Sequence, residues 1–401
     1  MQRGHEDIPS ERDASPTKTR PAAPTPSERD RSGARTSDAT MKPAGDGGAV
    51  ATVRIVDIAR MAGVSTATVD RVIHNRGKVS AGNLARIREV LEQVDYRPNL
   101  IARSLASGRR YAVAVVMPRF AEGDYWADFE AGIARAEAEA RRYNVEVHRF
   151  YFDQYDRTSF DVLLERLRAE SFDGVLLATL FAERVIPFAG ELDRREIPYV
   201  FVDSDLPECH RLAYYGTSSF DAGVVAARLL FERLDPGADI VVGRILHHGD
   251  GGSNQCRERE RGFRDYLARH DFRGTLHHVS LRLDDRAHNA RMLDELFDCH
   301  RSIAGAVTFN STCHILGGYL AARQRTDVRL VGYDVIARNR RMLEEGVVTA
   351  LVAQRPEMQG YCGVMALCGW LVEGRRPAAV NNLPIDILLR ENISYYTNNI
   401  N

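Results

Sequence analysis

Several residue groups in this 401-residue chain have types that could support catalysis, but their spacing argues against it. His247-His248 and His277-His278 are adjacent pairs. Consecutive strand residues face opposite ways, so neither pair chelates one ion readily. The run GDGG at 249–252 lacks the Lys-Ser/Thr that completes a phosphate loop, and no GxGxxG follows the first strand-like segment. No GxSxG nucleophile elbow is present. Cys209, Cys256, Cys299, Cys313, Cys362 and Cys368 show no CxxC spacing, which argues against structural zinc and for reduced thiols. No coherent catalytic set emerges, so the chain is read as a non-enzyme, and neither a cofactor nor a metal is expected.

The chemistry these residues do support is recognition. In RIVDIARMAGVSTATVDRVIHNRG, Arg54 to Gly77, apolar residues recur at helical spacing at Ile55, Ile58, Ala59 and Ala62. They recur again at Val64, Ala67, Thr68 and Val72. Gly63 stands where the first helix must stop, and glycine tolerates a left-handed backbone there. Ser65 stands where the second must start, and its hydroxyl can accept from an unpaired N–H. A helix–turn–helix of this build sets its second helix in the DNA major groove. The formal net charge of −1 hides a polarity: residues 51–110 hold 11 Lys and Arg against 5 Asp and Glu, whereas 111–401 hold 35 against 42. A basic module on an acidic body suits a DNA-binding head with a separate sensing domain.

The elements that must position these residues follow in order. Residues 1–52, rich in Pro, Ser, Thr, Arg and Asp without hydrophobic period, are expected to be a disordered tail. A third helix is expected at about 81–94, capped by Ser80, completing an all-α head over 53–97. Pro98 marks a break, and 98–110 reads as a linker with a short helix ending at Gly108. From Tyr111 to 401 strand-like runs alternate with amphipathic helices: 112–118, 145–152, 173–179, 198–204, 239–247, 275–281, 305–311, 328–334 and 347–354. This pattern predicts an α/β body of doubly wound parallel sheets. So many strands are better divided between two lobes with a cleft, and ligands of such folds bind at the carboxyl ends of strands. No run approaches the roughly 18 apolar residues of a membrane helix, and no apolar core follows a basic start, so neither a membrane partner nor a secretion signal is expected.

At this point the residues match a known pattern. IVDIARMAGVSTATVDRVIHNRGKVS, YRPNLIARSLASG, RERERGF, FNS, VGYD and AQRPEMQGY resemble, in order, the lactose/galactose-repressor (LacI/GalR) family of bacterial transcription regulators, over about 53–395. The resemblance implies a body similar to periplasmic sugar-binding proteins: two lobes, three crossovers and a small ligand in the cleft. It also implies a homodimer whose effector shifts its affinity for double-stranded operator DNA. Carried over by position, the recognition helix is Thr66 to His74. Thr66, Ala67 and Arg71 match positions that reach base edges, Ser65 and Thr68 match phosphate contacts, and Asn75 belongs to the same surface. Arg71 can bond bidentate to guanine. Asp70 departs from the usual small Ser, and Arg54 stands where Ser or Thr is the usual cap. Asn99 to Ala106 matches the hinge helix, with Leu105 as the wedge into the minor groove and Ala102 supporting its approach.

For the cleft, the resemblance implies Asp203, Asn310, Asp334 and Gln354 at strand ends, Arg259 on the helix after the glycine loop, and Tyr125-Trp126 after the first strand. Carboxylates, amides and a guanidinium suit a polyhydroxylated ligand, and an aromatic ring can stack on a sugar face. A sugar is expected, with an amine, nucleoside or sugar acid left open because Asn310-Ser311 replaces the family's common Asn-Asp pair. The expected protein is thus a ligand-responsive operator-binding regulator, of the repressor type, acting in the cytoplasm at the nucleoid. The alternatives are a sugar-binding protein without DNA function and a sugar-metabolising enzyme with a helix–turn–helix-like module.

Overall fold

The computed structural model describes residues 53–73, 77–94, 108–245 and 253–398. The expected tail, Asn75, the hinge residues Asn99, Ala102 and Leu105, the pair His247-His248 and GDGG through Gly252 lie outside these residues. The chain divides into two compact units, one ending at Tyr96 and one beginning at Arg97.

The first unit is three helices: α1 (Ile55–Ala62), α2 (Thr66–Ile73) and α3 (Ala81–Gln93). Their apolar stripes meet in one core of Ile58, Ala59, Ala62, Val69, Ile87 and Val90. Arg54 cannot accept a capping bond through its side chain. Asp57 instead reaches back and accepts from the Arg54 N–H at 3.1 Å. Gly63 is left-handed at φ 63°, and the Val64 N–H returns to the Ala59 carbonyl at 3.0 Å, closing α1. Ser65 Oγ accepts from the Thr68 N–H at 3.2 Å and opens α2. Ser80 stands at the cap of α3, but its hydroxyl makes no capping bond.

The second unit begins with β1 (Tyr111–Pro118), α4 (Tyr125–Ala140), β2 (Val145–Phe152), α5 (Arg157–Ala169), β3 (Gly174–Ala178), α6 (Ala182–Arg194), β4 (Tyr199–Val202) and β5 (Ala213–Gly216). It continues with α7 (Ser219–Phe231), β6 (Asp239–Ile245), α8 (Asn254–Arg269), β7 (Leu276–Leu281), α9 (Arg286–Cys299), β8 (Ile303–Thr308), α10 (Cys313–Ala322), β9 (Arg329–Tyr333), α11 (Ala337–Glu344) and β10 (Ala350–Ala353). It ends with α12 (Pro356–Glu373), β11 (Val380–Asn382), β12 (Asp386–Leu388) and α13 (Ile393–Asn398). One sheet has the order β11-β5-β4-β3-β1-β2 and the other β12-β10-β9-β8-β6-β7. Neighbours are parallel throughout except β10 with β12.

Each sheet is the centre of one lobe. Strands β3, β4 and β10 are buried at every position, because helices cover both faces. The chain passes between lobes three times. It crosses after β5, since α7 packs with Ile240 and Val242 of the second sheet. It returns after β10, since α12 packs Val364 and Leu367 into the first-lobe core, and it crosses again between β11 and β12. The short strands β5, β11 and β12 were not expected: at three or four residues they carry no readable period.

One helix crossing bears on the site. A Cβ on Gly223 of α7 would lie 1.9 Å from the Arg259 carbonyl oxygen of α8, and one on Gly262 of α8 would lie 1.9 Å from the Phe220 carbonyl oxygen. Only glycine lets these backbones touch, and the contact seats the turn of α8 that carries Arg259.

Candidate ligand cleft and nucleic-acid interface

On α2, Val69 is fully buried and Val72 and Ile73 are half-buried against the core. Thr66, Ala67 and Arg71 are exposed on the opposite arc, with Asp70 half-buried among them. Helical geometry thus presents the residues expected to reach base edges on one face, at the spacing i, i+1 and i+5. Ser65 and Thr68 sit at the amino end of this helix, bonded to each other through their hydroxyls at 2.9 Å.

In the second unit, the carboxyl ends of both sheets face one cavity. From the first lobe, Tyr125, Trp126, Tyr155, Phe181 and Asp203 line it; from the second, Gln255, Asn310, Ser311, Asp334 and Gln354 do. Six of the seven residues expected in the cleft are thus brought together. The seventh, Arg259, does not line the cavity. It is fully buried, its Nη1 donates to the Phe309 carbonyl at 2.8 Å, and its guanidinium lies 4.1 Å from the centre of the Tyr333 ring. Its Nε and Nη2 make no hydrogen bond among the described residues, and neither does Asp203 Oδ2.

Asp203 and Asp334 occupy matching places, directly after β4 and β9, and both are left-handed, at φ 74° and 66°. Asp tolerates this conformation at a modest cost, and such residues collect at binding sites. Both are 5% exposed. Burial pushes the Asp203 carboxyl up to about 7, with Arg259 opposing and Asp334 adding to the rise. Burial also raises Asp334, against the pull of Arg259 and hydrogen bonds from Gln354 and Ser311. The Tyr125 hydroxyl is raised well above its ordinary value by burial and then by the two carboxylates, so it remains a donor.

A glutamine network that the sequence reading did not foresee ties the lobes together. Gln255 Nε2 donates to Asp203 Oδ1 at 2.9 Å and to the Asp203 carbonyl at 3.0 Å. Gln354 Nε2 donates to Asp334 Oδ1 at 3.0 Å, and Gln354 Oε1 accepts from Gln255 at 3.3 Å and from Gln359 at 3.4 Å. Gln359 also accepts from the Asp203 N–H at 3.2 Å and donates to the Tyr125 hydroxyl at 3.0 Å. Beside this network Asn254 Nδ2 donates to Ser204 Oγ at 3.0 Å. Gln359 lies inside the AQRPEMQGY segment, but nothing local distinguished it from a helix surface residue.

The remaining expected residues have mixed surroundings. Trp126 packs edge-on between Tyr125 and Phe129, at 5.0 and 5.3 Å between ring centres, and is 5% exposed. Asn310 Oδ1 accepts from the Thr312 N–H at 3.2 Å, so Asn310 holds the turn that leads into α10 as well as lining the cavity. Chemically the cavity combines aromatic walls with buried donors and acceptors, the lining expected around a small polar ligand with an apolar face.

Comparison with known proteins agrees with this geometry. The model described as "Periplasmic binding protein domain" matches residues 113–374, and "Bacterial regulatory proteins, lacI family" matches residues 54–99. A crystal structure described as a LacI transcriptional regulator from Bacteroides fragilis is 36% identical, with a TM-score of 0.68, over 72% of this chain and 100% of that one. Catabolite control protein A of Streptococcus mutans is 35% identical over 125 residues, 31% of this chain and 36% of that protein. The HTH-type transcriptional regulator MalR of Streptococcus pneumoniae is 25% identical over 154 residues, 38% of this chain and 46% of that protein. The matched stretches thus span between a third and a half of these two curated relatives. With its helix–turn–helix unit and its two-lobed α/β unit both accounted for, the chain belongs to the lacI family of bacterial regulatory proteins that carry a periplasmic binding protein domain.

Proposed function

We propose that this protein is a sequence-specific DNA-binding transcription regulator whose operator affinity is set by a small polyhydroxylated molecule, of the sugar class, held between the lobes. The observation that carries this reading is the pairing, in one chain, of an exposed Arg71 face on a helix–turn–helix with a cavity lined by the buried Asp203, whose Oδ2 has no hydrogen-bond partner among the described residues. Such atoms are costly unless a partner satisfies them, and sugar hydroxyls both donate and accept. The protein acts in the cytoplasm as a homodimer on a palindromic operator at the nucleoid. Ser65, Thr66, Ala67, Thr68, Arg71 and Asn75 contact the operator, and the segment with Asn99, Ala102 and Leu105 serves as the hinge. Tyr125, Trp126, Asp203, Arg259, Asn310, Asp334 and Gln354 bind or position the effector. No catalytic step is assigned to it.

A gel-shift titration on the protein's own upstream DNA, with and without a panel of sugars and sugar acids, tests this. Specific binding should weaken as salt rises, because phosphate contacts release counterions. Arg71→Ala should cost about 1–3 kcal/mol and relax the preference at one base position. An unchanged affinity and base preference removes Arg71 from the reading set; no sequence-dependent shift under any condition rejects the regulator.

A further inference from the structure

A second polar cluster lies at the far end of the second-lobe sheet from the cavity. Asp239 opens β6, His277 is the second residue of β7, and His300 follows α9. In the parallel register Val241 lies beside His277. Strand residues alternate between faces, so Asp239 shares the face of Val241 and therefore of His277. His278, on the other face, turns instead to Glu260 and Arg264.

Asp239 Oδ2 is 3.0 Å from His277 Nε2, and the His277 and His300 rings lie 3.9 Å apart at 33°. One donor atom from each of Asp239, His277 and His300 lies within 4.8 Å of the others. Asp239 is also oriented by its neighbours: the Thr275 N–H donates to Oδ1 at 2.6 Å and the Ser302 hydroxyl to Oδ2 at 2.6 Å. The cluster is sheltered yet reachable, with the His277 side chain 13% exposed.

We propose that Asp239, His277 and His300 form a binding site for a zinc-class divalent cation, separate from the effector cavity. Two imidazoles and one carboxylate are the donor set that borderline ions such as Zn2+ prefer, with water completing the shell. Donor atoms around a tetrahedral zinc stand about 3.3 Å apart. The Asp239–His277 pair already has nearly that spacing, and rotation of the His300 side chain brings in the third donor. Ser302 and the Thr275 N–H supply the outer bonds that fix a ligating carboxylate. A bound ion would tie the amino ends of β6 and β7 to the end of α9.

The test uses the full chain, stripped with a chelator and then titrated. Isothermal titration with ZnCl2 should show one Zn2+ per chain and a raised melting temperature, since an ion that binds only the folded state stabilises it. CoCl2 should give the visible absorption of a low-coordinate Co2+ site. His277→Gln and His300→Gln should each weaken Zn2+ at least about tenfold, with melting in chelator unchanged, while Cys299→Ser, next to the site in sequence, leaves binding intact. No uptake by the wild-type chain, no such cobalt spectrum, or Zn2+ affinity that survives both His substitutions overturns the proposal and leaves a hydrogen-bonded structural pair.

Discussion

Asp203 is held in a backbone conformation and an environment that the folded chain would do better without. The residue is 5% exposed, one carboxylate oxygen has no partner among the described residues, and its φ is 74°. Because its folded pKa is raised to about 7, above the ordinary value of about 3.9, the folded state holds a proton that the unfolded state releases. Stability is therefore greatest below about pH 4 for this group and falls as pH rises toward 7, after which the full penalty remains. Asp203→Asn removes the charge but keeps the shape and the acceptor for Gln255. At pH 8 it should stabilise the protein by on the order of 2–4 kcal/mol and weaken effector binding at least about tenfold. Denaturant melts at pH 4 and pH 8 check this: the gain should be confined to the higher pH. A variant no more stable than wild type at pH 8 would show that this carboxylate is not strained by burial.

At the scale of elements, the crossing of α7 and α8 decides where Arg259 sits. Gly223→Ala places a methyl against the Arg259 carbonyl, and the backbone must yield. Overpacking of this kind costs about 1–3 kcal/mol, and the displaced turn should also lower effector affinity. Gly237→Ala, which meets no atom within 4 Å, is the control. Equal melting temperatures for the two variants would remove the crossing as the device that places Arg259. The same scale explains what the sequence made legible. Strands such as β3, β4 and β10 are continuous apolar runs because both faces are covered, so the βα alternation and the two lobes could be read off. Asp203 and Asp334 could be placed because each ends such a run. Gln255 and Gln359 could not, because the contacts that bring them to the first lobe are distant in sequence: Asp203 lies 52 residues from Gln255, and Tyr125 lies 234 from Gln359. Long-range amide pairing leaves no local period. Arg259 was foreseen on its helix but expected to line the cleft; the crossing buries it behind Tyr333 instead.

At the scale of the whole molecule, the contacts that span the lobes set how far an effector can move the equilibrium. A ligand shifts two states only by its differential affinity for them, and that coupling is reciprocal. Asn254 provides a test that leaves the cavity lining untouched, since its amide joins α8 of the second lobe to Ser204 of the first at 3.0 Å. Asn254→Ala should weaken the closed arrangement by about 1 kcal/mol, lowering effector affinity about fivefold. If effector favours the closed lobes, the substitution moves the effector-free protein away from them, so basal operator affinity must shift opposite to the effector's own effect. Calorimetry with the effector and gel shift without it measure the two halves. Weakened effector binding with operator affinity unchanged would mean that lobe closure is not what the DNA-binding unit senses.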